Sequence, residues 1–193
     1  MLMLYTISTL SGCLYLFFRL RFENEQARQE FDQNFGFLLL ITGIVATLLA
    51  LHMITTYPIN IPNTPLYLYN EQFGVPYTLF GIIALTTGYS LWKRLDPKPI
   101  SYFAFFAGIF NLRYAVNFIE FGLTREPIMA FLLYLTVSLV AIVSPLFTHI
   151  KDESKQKLIG YLMIVLLLIT GIIAGIIGIE AARGHIAEAL MGG

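Results

Sequence analysis

The chain has 193 residues, of which 57% are apolar and 12% charged, and its mean hydropathy is +0.73. A soluble domain carries roughly 25% charged residues, so a water-facing surface cannot be covered with what is present, and an integral membrane protein is expected. A formal net charge of 0 and a single cysteine, Cys13, exclude a basic nucleic-acid-binding face, a disulfide scaffold and a CxxC redox pair, and the apolar content excludes a disordered chain.

Six stretches reach the roughly 20 apolar residues needed to cross a bilayer: about 2–19, 35–57, 73–92, 100–123, 127–149 and 158–182. The expected fold is therefore an all-α, polytopic bundle of six transmembrane helices with short loops, a single transmembrane domain over 1–193. The first stretch lacks a basic leader region. Its Leu10-Ser11-Gly12-Cys13 matches a lipoprotein cleavage box, but Leu14 to Phe18 continue apolar where a lipoprotein turns polar, so it reads as a span. Cys13 itself reads as a small apolar packing residue.

Residues 20–34 form a polar stretch with Phe22, Ala27, Phe31 and Phe35 loosely on one helical face. They read as a cytosolic extension of the hairpin helices or an interfacial turn, with a partner-docking helix as the sharper alternative. The second span aligns Gly36, Gly43, Thr47 and Ala50. A long outer link follows from Pro58 to Gln72, where Pro58, Pro62 and Pro65 preclude regular helix. Tyr57, Tyr67 and Tyr69 suit the headgroup level, so this link reads as an ordered loop over the bundle. The third span carries Gly74, Gly81 and Gly88 at seven-residue spacing, and the sixth carries Gly160, Gly171, Gly175 and Gly178 on one stripe. Such small-residue stripes let helices approach closely.

The fourth span is the most informative. Ala104, Gly108, Asn111, Ala115 and Gly122 share one side, and Arg113, Asn117 and Glu120 the other. An arginine near the bilayer midplane costs at least about 2.5–3.5 kcal/mol unless paired or hydrated. The simplest expectation is a polar cavity opening outward, with Arg113 at its floor, Asn117 as a bridge and Glu120 nearer its mouth. His52, Glu71, Glu126, Glu180 and Arg183 are the outer-half polar groups that can complete it. Each has a plain structural alternative: a satisfied histidine for His52, and an i,i+3 pair for Glu180 with Arg183. The Arg113 trio can likewise be a network that fixes helix register.

Nine of the twelve lysines and arginines fall in alternate links, at Arg19, Arg21, Arg28, Lys93, Arg94, Lys98, Lys151, Lys155 and Lys157. By the positive-inside rule the links 20–34, 93–99 and 150–157 are cytoplasmic, and both termini lie outside a multi-pass cell-membrane protein. HExxH, GxSxG, P-loop and dinucleotide signatures are absent, and no cofactor, metal site or catalytic residue is expected. Of the three histidines only His52 and His185 share a side, which is a poor basis for haem, with His185 expected beyond the membrane.

Two segments, Tyr69-Asn-Glu-Gln-Phe73-Gly74-Val-Pro76-Tyr-Thr-Leu79-Phe80-Gly81 and Gly122-Leu123-Thr124-Arg-Glu126-Pro127, resemble a family of uncharacterised archaeal and bacterial membrane proteins, domain of unknown function 981. The resemblance extends over spans two to five and leaves the first and last unmatched. It implies a small polytopic bundle and no known activity. The isoleucine- and tyrosine-rich composition suits an archaeal origin.

Three functional expectations follow, the weakest being an intramembrane enzyme or cofactor carrier, for which no motif speaks. The first is a non-catalytic subunit or scaffold of a larger membrane assembly, meeting the lipid bilayer and other subunits or copies of itself through its glycine stripes, with no nucleic-acid partner. The second is a small-solute, proton or ion permeation protein built on the Arg113, Asn117 and Glu120 cavity. No clear inverted repeat or pair of broken helices supports transport, whereas a packing subunit has little need of a midplane arginine.

Overall fold

The computed structural model describes residues 2–59 and 65–191, with the side chains of Leu66 and of residues 185–191 excepted. Six helices make up the described chain: α1 (Leu2–Arg19), α2 (Glu25–Thr56), α3 (Leu66–Lys93), α4 (Lys98–Phe121), α5 (Pro127–His149) and α6 (Glu153–Met191). Helices α1 and α5 have the bounds expected from hydropathy. Helix α2 begins ten residues early because Asn24 caps it, its Oδ1 accepting from Gln26 N at 2.9 Å and Ala27 N at 3.3 Å. The polar stretch 25–34 is thus an extension of the second helix.

Helix α3 also starts early. The expected loop ends at Pro65, whose fixed φ suits a helix start, so Tyr67, Tyr69 and Glu71 stand on a helix. Pro62 lies outside the described residues. Among the described residues five helices are long and apolar enough to cross a membrane, and α3 is not one of them. Its aliphatic side chains are diluted by Asn70, Glu71, Gln72 and by the tyrosines, threonines and glycines that follow.

Short links make consecutive helices antiparallel, and the packing registers agree. Ile54 meets Gly74, Thr47 meets Gly81, and Leu40 meets Gly88. The α6 stripe lies on α1, with Gly178 at Leu2, Gly171 at Leu10 and Gly160 at Leu20. Helix α1 therefore closes onto α6, and every helix touches both neighbours in a closed ring. The ring has two parts. Helices α2 and α3 interlock closely, α4, α5, α6 and α1 form a continuous wall, and the parts meet along thin seams at α1–α2 and α3–α4.

Each seam is pinned at one end by polar chemistry. On α1–α2, Tyr15 donates its hydroxyl to Asp32 Oδ1 at 2.6 Å, Arg19 Nε donates to the same oxygen at 3.1 Å, and Phe35 stacks on Tyr15 at 4.2 Å. On α3–α4, Gln72 plays that part, as described below.

Large apolar side chains cover the outside, and a few polar ones are buried with the aromatic and aliphatic core. Leu38, Leu48, Phe106, Phe110, Leu158 and Ile172 are exposed, whereas Thr9, Asn70, Ser138 and Thr170 are almost fully buried. The interior is held by small residues and by hydroxyl pairs such as Thr170 Oγ1 donating to Thr136 Oγ1 at 2.7 Å. Gly122, expected on the small-residue face of α4, instead caps that helix with φ +58°.

Candidate functional site

The ring encloses a central cavity of about 800 Å³ bordered by all six helices. That size lies within the range of ordinary ligand sites. Its walls are mainly aliphatic and aromatic, and no Asp, Glu, Lys or Arg is among the described residues that line it. The extended segment Pro58–Ile59 borders it at one end. Asn70, fully buried, holds that segment from both sides, accepting from Ile59 N at 3.0 Å and donating to Ile59 O at 2.8 Å. Toward the other end Ser101 and Thr148 share a hydrogen bond of 2.9 Å, and Ser144 donates to Ser101 O at 3.2 Å.

An aromatic group gathers near the Asn70 end. Tyr5 lies 4.5 Å from Phe80 and 5.9 Å from Tyr77 between ring centroids. Tyr134 packs on Phe118 at 4.8 Å. These rings belong to α1, α3, α4 and α5 and share one buried cluster. On α4, Asn111 donates to Ser138 Oγ at 2.9 Å and to Tyr134 O at 3.2 Å, while its Oδ1 is buried without a partner. Hydropathy and spacing put Asn111 among small packing residues and gave no sign of this role.

The expected polar cavity on α4 takes a different form. Arg113 and Glu120 face outward, 62% and 46% exposed, and form a direct pair with Nη1 to Oε2 at 3.0 Å. Seven residues separate them, a span of about 10 Å along the axis, and the extended arginine side chain closes it. Arg113 therefore reaches toward the end of its helix instead of flooring a cavity. Asn117 turns the other way, donating to Gln72 Oε1 at 3.1 Å while Gln72 Nε2 donates to Tyr114 O at 2.7 Å. Gln72 is 4% exposed, and it bolts α3 to α4. The three α4 residues thus lie outside the central cavity, Arg113 and Glu120 as an external ion pair and Asn117 as an internal bridge.

The further outer-half groups do not converge on that pair. His52 borders the central cavity, with Thr56 Oγ1 at 3.5 Å. Glu71 is exposed and accepts from Tyr57 Oη at 3.5 Å. Glu126 precedes α5 at the surface, and Glu180 and Arg183 are exposed on α6. The side chain of His185 lies outside the described residues. His149 stands apart from His52, at the far end of α5, where Tyr102 Oη lies 2.9 Å from its Nε2. Among the described residues no group of three or more His, Cys, Asp or Glu could hold a metal ion.

The sequence profile of the family described as protein of unknown function (DUF981) matches residues 1–188, and the chain belongs to that family. The match takes in the first and last helices, which the two segments read from sequence had left unplaced. No curated protein matches the chain. No solved structure matches it either.

Proposed function

We propose that this member of the DUF981 family is a polytopic membrane protein whose six helices all cross the bilayer, and that it serves as a non-catalytic subunit of a larger membrane assembly. The many exposed aliphatic and aromatic side chains on the outside, and the glycine stripes at which the helices meet, suit a hydrocarbon solvent that gives no hydrophobic drive between helices. The lysine and arginine asymmetry orients it with the links 20–34, 93–99 and 150–157 in the cytoplasm and both termini outside.

One observation carries the subunit reading: the Arg113–Glu120 pair on the outer face of α4. Phe106, Ile109, Phe110, Val116 and Ile119 are exposed on the same helix. Arg113 sits about 12 Å along the axis from the end of α4. Its side chain runs along the exposed face of α4 to Glu120, one residue before that end; an arginine laid against lipid tails is costly, and a partner chain over that face removes the cost. Permeation draws less support. The three residues that would build a polar path are divided between the outer face and a helix bridge, and no Asp, Glu, Lys or Arg is among the described residues that line the central cavity.

The test is native mass spectrometry of the protein extracted in mild detergent, beside the Arg113→Ala/Glu120→Ala double variant. The wild-type particle is expected to exceed one chain, and the double variant to fall to single chains with its helix content intact. A wild-type particle of one chain alone contradicts the subunit reading.

A further inference from the structure

The central cavity has what a binding site needs and a packing defect lacks: polar groups without protein partners, brought to its wall by different helices. Tyr5 and Tyr134 are 8% and 9% exposed and both line the cavity. Among the described residues no hydrogen bond reaches either phenol oxygen. Ser8 Oγ and Asn111 Oδ1 are buried with no partner, and these residues line the cavity as well. Ser8 follows Tyr5 by three residues on α1, hence on the same face. Asn111 holds the backbone of Tyr134 across α4–α5 at 3.2 Å. Three helices, α1, α4 and α5, thus place three hydroxyl-bearing residues and an amide around an otherwise apolar space. Buried polar groups are normally hydrogen-bonded, and leaving one unpaired costs about 1–3 kcal/mol.

We infer that the cavity is a binding site for an uncharged lipid, a long hydrocarbon body bearing one carbonyl or hydroxyl oxygen. The oxygen accepts from the Tyr5 and Tyr134 hydroxyls, whose residues line the cavity. The hydrocarbon body runs between the aliphatic walls toward the Ser101–Thr148 end. A carboxylate, phosphate or ammonium head is excluded, because none of the described residues that line the cavity is Asp, Glu, Lys or Arg and an unpaired ion there bears its full desolvation cost. The thin α1–α2 and α3–α4 seams give such a molecule a sideways way in from the bilayer. This site is independent of the Arg113–Glu120 face and of whether partner chains cover it.

Three probes of equal carbon number test it by native mass spectrometry of the full chain in lipid nanodiscs: methyl undecyl ketone, tridecane and tridecanoate. The expected result is one ketone bound per chain, about tenfold more tightly than tridecane, with no tridecanoate adduct. The Tyr5→Phe/Tyr134→Phe double variant removes only two oxygen atoms, so it keeps the cavity's shape. It is expected to erase the preference for ketone over alkane and leave alkane binding as it was. No ketone adduct on the wild type, equal binding of tridecanoate, or an undiminished ketone preference in the double variant would each overturn the inference.

Discussion

Gly43 of α2 and Gly88 of α3 face the opposite helix at its backbone. A Cβ on Gly43 would strike Leu85 N, and one on Gly88 would strike Leu40 N. Neither neighbour is the mobile end of a side chain, so the helices themselves must separate. Gly43→Ala or Gly88→Ala is expected to lower stability in detergent by about 1–3 kcal/mol. Gly122 differs in kind. A Cβ there meets nothing within 4 Å, but its φ is +58°, so Gly122→Ala should cost only about 1 kcal/mol of left-handed strain. Thermal unfolding of the three variants side by side checks this order, and an equal loss in all three would refute it.

The α4 residues show where single positions are legible and where they are not. Helical geometry alone groups Arg113, Asn117 and Glu120 on one side. It does not say whether that side meets a cavity, a neighbour or the exterior, because angular position is relative to the helix and not to the bundle. The structure resolves it at two places: Arg113 and Glu120 pair outside, and Asn117, at the edge of the same face, meets Gln72. Gln72 itself had no distinguishing signal, since it sits in a polar run whose helix could not be foreseen past three prolines.

At the scale of elements, a few buried polar contacts replace broad packing at the seams. Gln72 joins α3 to α4 by accepting from Asn117 and donating to Tyr114 O. Gln72→Leu fills similar space but leaves a buried amide and a carbonyl unmatched, and is expected to cost about 1–3 kcal/mol. Its unfolding midpoint should fall while the α1–α2 contacts persist, and an unchanged midpoint would count against Gln72 as the bolt. Helix existence was legible because apolar runs of that length have few alternatives. Helix starts were not always so. Helix α2 extends through a charged stretch on the strength of the Asn24 cap, and α3 extends back to Leu66 as soon as Pro65 is passed.

At the scale of the molecule, the small-residue stripes of α2, α3 and α6 announced close approach, and they do interlock, α2 with α3 and α6 with α1. Which stripe meets which could not be read from one chain, so ring closure and the cavity inside it had no sequence signature. The same substitution of Gly, Thr and Tyr for aliphatic residues that lets α3 pack so closely on α2 also lowers its hydropathy, which is why it stands apart from the other five helices. The proposed membrane-spanning ring nevertheless takes α3 across with its neighbours, because α2 and α4, antiparallel to it, flank it on both sides.

Cysteine accessibility tests that requirement directly. In a Cys13→Ala background, single cysteines replace Glu23, Pro58, Asp96, Glu126 and Lys151, and a membrane-impermeant maleimide is applied to intact cells and then to opened ones. Positions 58 and 126 are predicted to label in intact cells, and positions 23, 96 and 151 only after the membrane is opened. If positions 58 and 96 react alike, α3 does not cross, and the membrane-spanning six-helix ring proposed here is contradicted.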